Sequence, residues 1–174
     1  MTNHENYHLL LMRHGKADRD SGVKRDFDRQ LTSRGRRDVG NISRWMLLQQ
    51  WIPDKIVSSP AQRTRETALL VAGELQLSAD SIIWDSAIYN ASLDALLKVL
   101  NKQSAQSHCL LLIGHNPGLD SLLSRLSRTP PSRTGSGKLM TTSALGILEF
   151  GNQPIETGVK SAQLNQLLRP RDLE

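Results

Sequence analysis

Two short stretches of the chain are apolar without interruption. Residues 8–13 read HLLLMR and residues 109–114 read CLLLIG. A strand that is buried on both faces has this pattern, because successive side chains point to opposite sides of the sheet and both sides must be covered. The two stretches therefore predict central strands of a sheet that is covered on both faces.

Helix-like and strand-like stretches alternate around these two strands. Apolar residues recur every three or four positions within 32–51, where Val39, Ile42 and Met46 share one face, and again within 60–77. This spacing is typical of amphipathic helices. The remaining predicted elements are helices over 92–101 and 117–126 and strands over 55–58, 81–84, 143–150 and 158–168, the last at the edge of the sheet.

The order of these elements predicts the fold class. Strands that alternate with helices favour an α/β fold of three layers, with a largely parallel central sheet and helices on both faces. The chain has no internal repeat, so we expect one domain over residues 1–174. The segment 129–138, rich in Pro, Gly and Ser, is the one irregular insertion.

Composition narrows the class of protein. With 38% hydrophobic and 22% charged residues the chain resembles an ordinary soluble globular protein, and no apolar stretch approaches the roughly 20 residues that span a bilayer. The N-terminus is polar and has no signal-peptide pattern. A single cysteine, Cys109, precludes an internal disulfide. Together these features predict a cytoplasmic protein with no membrane partner.

The charge of the chain favours anionic ligands or partners. The net charge is +5, and basic residues concentrate between Arg19 and Arg44. The three Trp, two Tyr and two Phe are not interleaved with these cations, so nucleic acid is not the expected partner. A solvated helix face explains the segment best, and docking of an acidic partner protein is the alternative. The acids that are interspersed in it are Asp20, Asp26, Asp28 and Asp38.

Residues that carry chemistry follow three of the predicted strands. Because the carboxyl ends of parallel strands lie at one edge of a sheet, two imidazoles and two guanidiniums are expected to meet there. The other histidines, His4, His8 and His108, have no such setting and are interpreted as ordinary polar residues. The three strand ends are Arg13-His14-Gly15, Ser58-Ser59-Pro60 followed by Arg63, and Gly114-His115-Asn116-Pro117-Gly118.

Two of these strand ends also have the pattern of a helix start. In Ser59-Pro60 and in Asn116-Pro117, a residue that favours the N-cap precedes a proline at the first helical position. Helix N-termini attract anions, and the planar guanidinium of arginine matches phosphate oxygens. The sequence therefore predicts a site for a dianion, and a phosphoryl group fits it best.

These motifs resemble those of the histidine phosphatase superfamily, which has the phosphoglycerate-mutase-like fold. The resemblance rests on RHG at 13–15, SSPAQRTRETA at 58–68 and GHNPGL at 114–119, and it covers nearly the whole chain. The short length and the sequences RHGKAD, DRQLTSRG, GHNPG and MTTSA are most similar to the SixA-type phosphohistidine phosphatases.

The resemblance implies a role for each of these side chains. His14 would attack phosphorus and form a phosphohistidine intermediate, while Arg13 and Arg63 would bind the phosphoryl oxygens. His115 would donate to the phosphoryl group in the transition state. Gly15 and Asn116 would belong to the same binding site. No metal and no other cofactor is implied.

The proton donor for the leaving group is the residue that the motifs do not supply. The acid-phosphatase branch has Asp directly after the second histidine, where this chain has Asn116, and the Glu of mutase-like members is missing from the segment after 81–84. Asp18 and Asp85 remain as candidates, although each is also typical of a turn. Both assignments stay open.

The missing acid favours one class of substrate. A phosphohistidine can lose a neutral imidazole once its ring is protonated, whereas an alkoxide leaves poorly without a proton. We therefore expect a phosphatase that acts on phosphohistidine of a partner protein. The alternatives are a general phosphomonoesterase for small phosphate esters and a non-catalytic phosphate-binding module.

Overall fold

The computed structural model describes residues 6–19 and 22–174, so that His4 and Asp20 lie outside the described residues. The described part contains one sheet and four α-helices. In chain order these elements are β1 (Tyr7–Arg13), α1 (Ser33–Leu48), β2 (Lys55–Ser58), α2 (Gln62–Glu74), β3 (Ile82–Trp84), α3 (Leu93–Gln103), β4 (Cys109–Gly114), α4 (Gly118–Leu126), β5 (Leu145–Gly151) and β6 (Gln163–Leu168).

The sheet has the strand order β3-β2-β4-β1-β5-β6. The first four strands in this order are parallel, and β5 and β6 are antiparallel to their neighbours. The predicted α/β fold with a largely parallel sheet is confirmed, as is the position of the last strand at the edge. Among the described residues no helix is long and apolar enough to cross a membrane.

The two central strands are apolar throughout because each face of the sheet carries its own core. In β1, Leu9 and Leu11 pack into one core cluster while Leu10 and Met12 pack into the other. Leucines and an isoleucine of β4 alternate in the same way. All four of these β1 side chains are fully buried, which accounts for the uninterrupted apolar runs.

The helices that follow β1 and β4 lie on opposite faces of the sheet. Val39 and Ile42 place α1 against one core cluster, and Leu119 and Leu122 place α4 against the other. Since β1 and β4 are neighbours, the connections diverge at their carboxyl ends. Such a switch point is where open α/β sheets bind ligands.

Strand β5 is antiparallel because of the path that leads to it. Helix α4 starts at the carboxyl edge of the parallel strands and carries the chain away from that edge. Residues 128–144 then return without a helix or a strand, and β5 starts beside the end of β1, with Leu145 paired to Met12. The irregular segment predicted at 129–138 lies within this return path.

Both predicted N-caps at the strand ends are wrong. Helix α2 begins at Gln62, two residues after Pro60, and no side chain caps it. Helix α4 begins at Gly118, and its N-cap residue is Pro117 rather than Asn116. Ser59 Oγ accepts from the Ala61 N–H just before α2 and also contacts His115 of the candidate site, and the Asn116 side chain binds the Met140 carbonyl. By contrast, Thr32 and Ser92 cap α1 and α3 through their hydroxyl oxygens.

Candidate active site

The ends of β1, β2 and β4 bring the predicted side chains together at one edge of the sheet. Arg13 is paired in register with Gly114, and the His14 N–H donates to the Gly114 carbonyl. The rings of His14 and His115 lie with their centroids 5.2 Å apart. His14, Arg63 and His115 are only 9%, 5% and 6% exposed. The predicted convergence of two imidazoles and two guanidiniums is therefore observed.

The ring of His14 is oriented by its own backbone neighbour. Its Nδ1 lies 2.7 Å from the Gly15 carbonyl oxygen, and because a carbonyl only accepts, Nδ1 carries the proton. The lone pair is then on Nε2. Burial, assisted by the charges of Arg63 and Arg13, lowers the pKa of His14 from 6.5 to about 3, although the hydrogen bond to the Gly15 carbonyl acts in the opposite direction. His14 is a neutral imidazole with one unprotonated nitrogen.

Two glycines allow the backbone after His14 to lie directly on α1. A Cβ at Gly15 would be 2.9 Å from Val39 Cγ2 and 3.0 Å from the Gly35 carbonyl oxygen. A Cβ at Gly35 would be only 2.2 Å from the Lys16 carbonyl oxygen. The Gly15 N–H also donates to Thr67 Oγ1 at 3.1 Å. This packing holds the carbonyl that orients His14.

Arg13 is held by the segment that leads into β5. Its Nη1 donates to the Met140 carbonyl at 2.8 Å, and Asn116 Nδ2 donates to the same oxygen at 3.0 Å. The Met140 N–H in turn donates to Asp120 Oδ1. Asn116 therefore lies beside Arg13 with its amide nitrogen bonded to the protein, and its role in substrate binding stays a prediction.

Arg63 is held by two hydrogen bonds to Asp26, a residue to which the sequence analysis assigned no role in the site. Its Nη1 donates to the Asp26 carbonyl at 2.7 Å, and its Nη2 donates to Asp26 Oδ2 at 2.9 Å. The Tyr89 hydroxyl donates to the same carboxylate oxygen, and Arg29 donates to the other. Asp26 and Arg63 are 37 positions apart, so no local spacing signals the pair.

Asp26 is a carboxylate and not a proton donor. Burial by itself raises the pKa of this carboxyl, but hydrogen bonds from Arg29 and Tyr89 and the charge and hydrogen bond of Arg63 outweigh it. The pKa falls from 3.8 to about 2. The acid that the fold places against Arg63 therefore stays ionised at neutral pH and fixes the guanidinium.

His115 is bonded to the serine that was predicted to be an N-cap. Its Nε2 lies 2.9 Å from Ser59 Oγ. Burial, with the charges of Arg63 and Arg13, lowers the pKa of His115 from 6.5 to about 4, although the charge of Asp26 acts in the opposite direction. Both histidines of the site are thus neutral near pH 7.

Several buried polar atoms of the site lack a hydrogen-bond partner among the described residues. They include Arg13 Nε, His115 Nδ1 and Asn116 Oδ1. Leaving a buried polar atom unpaired costs about 1–3 kcal/mol, so such atoms mark a place where a polar ligand is bound. With two guanidiniums and two neutral imidazoles, the site can bind an anion and present a nucleophile to it.

The two proton-donor candidates from the sequence, Asp18 and Asp85, lie in a loop and in a short turn. Asp85 caps a short turn, with Oδ1 accepting from the Ala87 N–H at 3.0 Å, as its interpretation as a turn residue predicted. The Asp18 N–H donates to the Gln30 carbonyl in the loop after β1, and a catalytic role of its carboxyl stays a prediction.

The remaining histidines and the cysteine lie elsewhere. His8 is buried beside Glu149, and His108 stacks on Tyr7. Burial, assisted by the charge of Asp54, raises the pKa of the Cys109 thiol to about 12, so the thiol is protonated and unreactive near neutral pH. In the described part of the chain no group of three or more His, Cys, Asp or Glu is arranged to hold a metal ion.

Comparisons with known proteins identify the family of this chain. Residues 9–86 match the model of the histidine phosphatase superfamily (branch 1). The structure superposes on that of the protein histidine phosphatase SixA complexed with tungstate with a TM-score of 0.78, at 22% identity over 96% of this chain and 99% of the other. The chain belongs to the histidine phosphatase superfamily. The resemblance drawn from the three motifs is confirmed.

Two further relatives are consistent with this membership. A putative phosphohistidine phosphatase SixA from Agrobacterium tumefaciens superposes with a TM-score of 0.73, at 25% identity over 94% of this chain and 98% of the other. An uncharacterised chloroplastic protein of Arabidopsis thaliana is 30% identical over 83% of this chain and 67% of its own length. Histidine phosphatase membership supports a phosphatase activity for this chain.

Proposed function

We propose that the chain is a phosphohistidine phosphatase, in which His14 takes the phosphoryl group from a phosphohistidine of a partner protein and passes it to water. The observation that carries the proposal is the neutral His14 ring, whose Nδ1 proton is held by the Gly15 carbonyl at 2.7 Å beside two arginines and a second histidine. An imidazole in this state is a nucleophile without further activation.

The first step is an in-line attack on phosphorus. The bond from His14 Nε2 to phosphorus forms while the P–N bond of the substrate breaks, and the leaving imidazole departs neutral because its other nitrogen carries a proton. Arg13 and Arg63 bind the phosphoryl oxygens, and His115 donates to them as charge develops. Positioning and charge stabilisation supply most of the rate.

The second step returns the phosphoryl group to water. Water attacks phosphorus, the bond to His14 Nε2 breaks, and inorganic phosphate leaves with the protons of water. Phosphorylated His14 still holds its Nδ1 proton on the Gly15 carbonyl, so the ring departs as a neutral imidazole. The same hydrogen bond thus serves both steps.

The electrostatics of Asp26 support the choice of a phosphoramidate substrate. The carboxyl nearest to Arg63 has a pKa of about 2, so it carries no proton for an alkoxide leaving group at neutral pH. A phosphohistidine brings its own proton on the ring. We expect its kcat/KM to exceed that of sugar phosphates by about a hundredfold, in line with the usual contribution of a general acid.

Trapping of the phosphoenzyme tests the proposal. The protein is mixed with a radiolabelled phosphohistidine protein and quenched in alkali, where phosphohistidine is stable. Wild type is expected to retain label, as is the control variant His108→Asn, which replaces an exposed histidine outside the site. His14→Asn is expected to retain none. Full activity of His14→Asn, or turnover without a labelled enzyme, would contradict the mechanism.

A substrate panel separates the proposal from its alternatives. Equal kcat/KM on sugar phosphates and on phosphohistidine protein would indicate a general phosphomonoesterase. Tight binding of the phosphoprotein without turnover would indicate a binding module. A cytoplasmic location and activity without a metal ion remain predictions of the proposal.

A further inference from the structure

The cations of α1, which belong to the basic segment interpreted as a possible docking face, are largely paired with neighbouring acids. Arg34 and Arg37 both pair with Asp38, at 3.4 and 3.1 Å. Arg36 and Arg44 pair with glutamates of α2. Three carboxylates thus face four arginines, so the attraction of this face for an acidic partner is reduced, and docking there stays a prediction.

A second group of cations lies in and beside the segment between α4 and β5. The sequence from Arg125 to Lys138 contains four basic residues and no acid, and Lys160 lies close to it in the fold, donating its N–H to the Arg125 carbonyl. Within the described residues none of these five side chains forms an ion pair with an acid.

Three of these cations line one pocket. It has a volume of about 200 Å³, and its walls include the two adjacent prolines of the return segment and the buried Leu139; the cations are Arg128, Arg133 and Lys160. The guanidiniums of Arg128 and Arg133 each bind a backbone carbonyl, at 3.2 and 3.0 Å. A carbonyl orients a guanidinium without cancelling its charge, so the pocket stays positive.

The segment that forms the pocket is held in place by the protein. Arg169 donates to the carbonyls of Ser132 and Leu139, and a turn within the segment is closed by the Thr134 N–H donating to the Lys138 carbonyl. A surface that is already ordered loses little entropy when a partner binds to it.

The pocket adjoins the segment that holds Arg13. Leu139 lines the pocket, and the carbonyl of the next residue, Met140, accepts from Arg13 Nη1. A protein substrate can therefore present a second segment to the pocket while its phosphoryl group is bound in the site, whereas a small phosphate ester offers no acidic segment.

We propose that the pocket lined by Arg128, Arg133 and Lys160 docks an acidic segment of the phosphorylated protein substrate. This inference rests on the proposed function for the identity of the partner. An acidic polypeptide fits better than nucleic acid, because no aromatic side chain lines the pocket on which a base would stack. The pocket thus selects protein substrates over small phosphate esters.

A binding experiment tests the pocket independently of catalysis. A fluorescein-labelled hexaglutamate peptide is titrated by anisotropy in excess inorganic phosphate, which occupies the phosphoryl site. We expect the double variant Arg133→Glu with Lys160→Glu to bind about tenfold more weakly than wild type. The matched control reverses the exposed Lys98 and Lys102 of α3 and is expected to stay within about twofold. Arg133→Gln with Lys160→Gln is a milder second variant that retains side-chain length.

The outcomes separate the pocket from simpler explanations. If the pocket variant and the Lys98/Lys102 control weaken peptide binding equally, the peptide is attracted by net charge alone and the proposal is overturned. Absence of peptide binding to wild type would also overturn it. Tighter binding of a single-stranded oligonucleotide of equal charge, lost in the same variant, would assign the pocket to nucleic acid and also overturn it.

Kinetics then distinguish this proposal from the proposed function. The double variant is expected to lose about tenfold in kcat/KM on phosphohistidine protein and to keep its activity on p-nitrophenyl phosphate. If wild type does not turn over phosphohistidine but peptide binding is lost only in the pocket variant, the proposed substrate is refuted. The assignment of the pocket as a site for acidic peptide would then still hold.

Discussion

The neutrality of the two site histidines has a measurable effect on folding stability. In the folded protein the pKa values of His14 and His115 fall from 6.5 to about 3 and about 4. Between these values and 6.5 the unfolded chain binds more protons than the folded chain. Stability therefore rises with pH through this window and is lost as the pH falls below 6.5.

The size of the effect follows from the two shifts. Between pH 7 and pH 5 each histidine passes from mostly neutral to almost fully protonated in the unfolded chain, while it stays neutral in the folded protein. Integration of the linkage relation gives about 2 kcal/mol for each group, and about 3–4 kcal/mol for the pair. His8, whose pKa is lowered mainly by burial, adds a contribution of the same sign.

Urea denaturation at a series of pH values measures this loss. We expect the unfolding free energy to fall between pH 7 and 5, and His14→Asn and His115→Asn each to remove about half of the fall. His108→Asn controls for the loss of an exposed histidine. A wild-type profile that is flat between pH 7 and 5, or one that keeps its slope when both site histidines are replaced, would refute the assignment of neutral buried rings.

Three further predictions concern the site and its support. Asp26→Asn should lower kcat on phosphohistidine about tenfold with little change in KM, because Arg63 loses the group that orients it; an unchanged kcat with a lower KM would show instead that Asp26 merely competes with phosphate. Gly35→Ala should destabilise the fold by about 2 kcal/mol or more, measured as a lower denaturation midpoint, since its Cβ would lie 2.2 Å from the Lys16 carbonyl. Phosphatase activity should persist after dialysis against EDTA, and recovery that depends on an added divalent cation would contradict metal independence.

Much of the fold was predictable because burial on both faces leaves a direct trace in the sequence. Strands β1 and β4 have apolar side chains at successive positions, since each face of the sheet packs against its own helices. The candidate site was predictable for a related reason: His14 and His115 directly follow those strands, and parallel neighbours end at one edge.

The sequence did not reveal how the side chains of the site choose their partners. Ser59 and Asn116 have the local features of N-caps, yet they bind His115 and the Met140 carbonyl. Ser59 Oγ makes both kinds of bond, since it also accepts from the Ala61 N–H at the start of α2, whereas a capping bond of Asn116, worth about 1 kcal/mol, is replaced by the bond to Met140.

What the sequence determined by itself was the set of elements, the parallel core and the residues at the strand ends, because periodicity and turn chemistry act over a few positions. Only the tertiary structure decided that Asp26 orients Arg63, that Arg36 and Arg44 pair with glutamates of α2, and that Arg128 and Lys160 share a pocket. These contacts join residues that are about 30 or more positions apart, or depend on which neighbouring segment supplies the acid. Packing of the whole chain, and not local sequence, sets such distances.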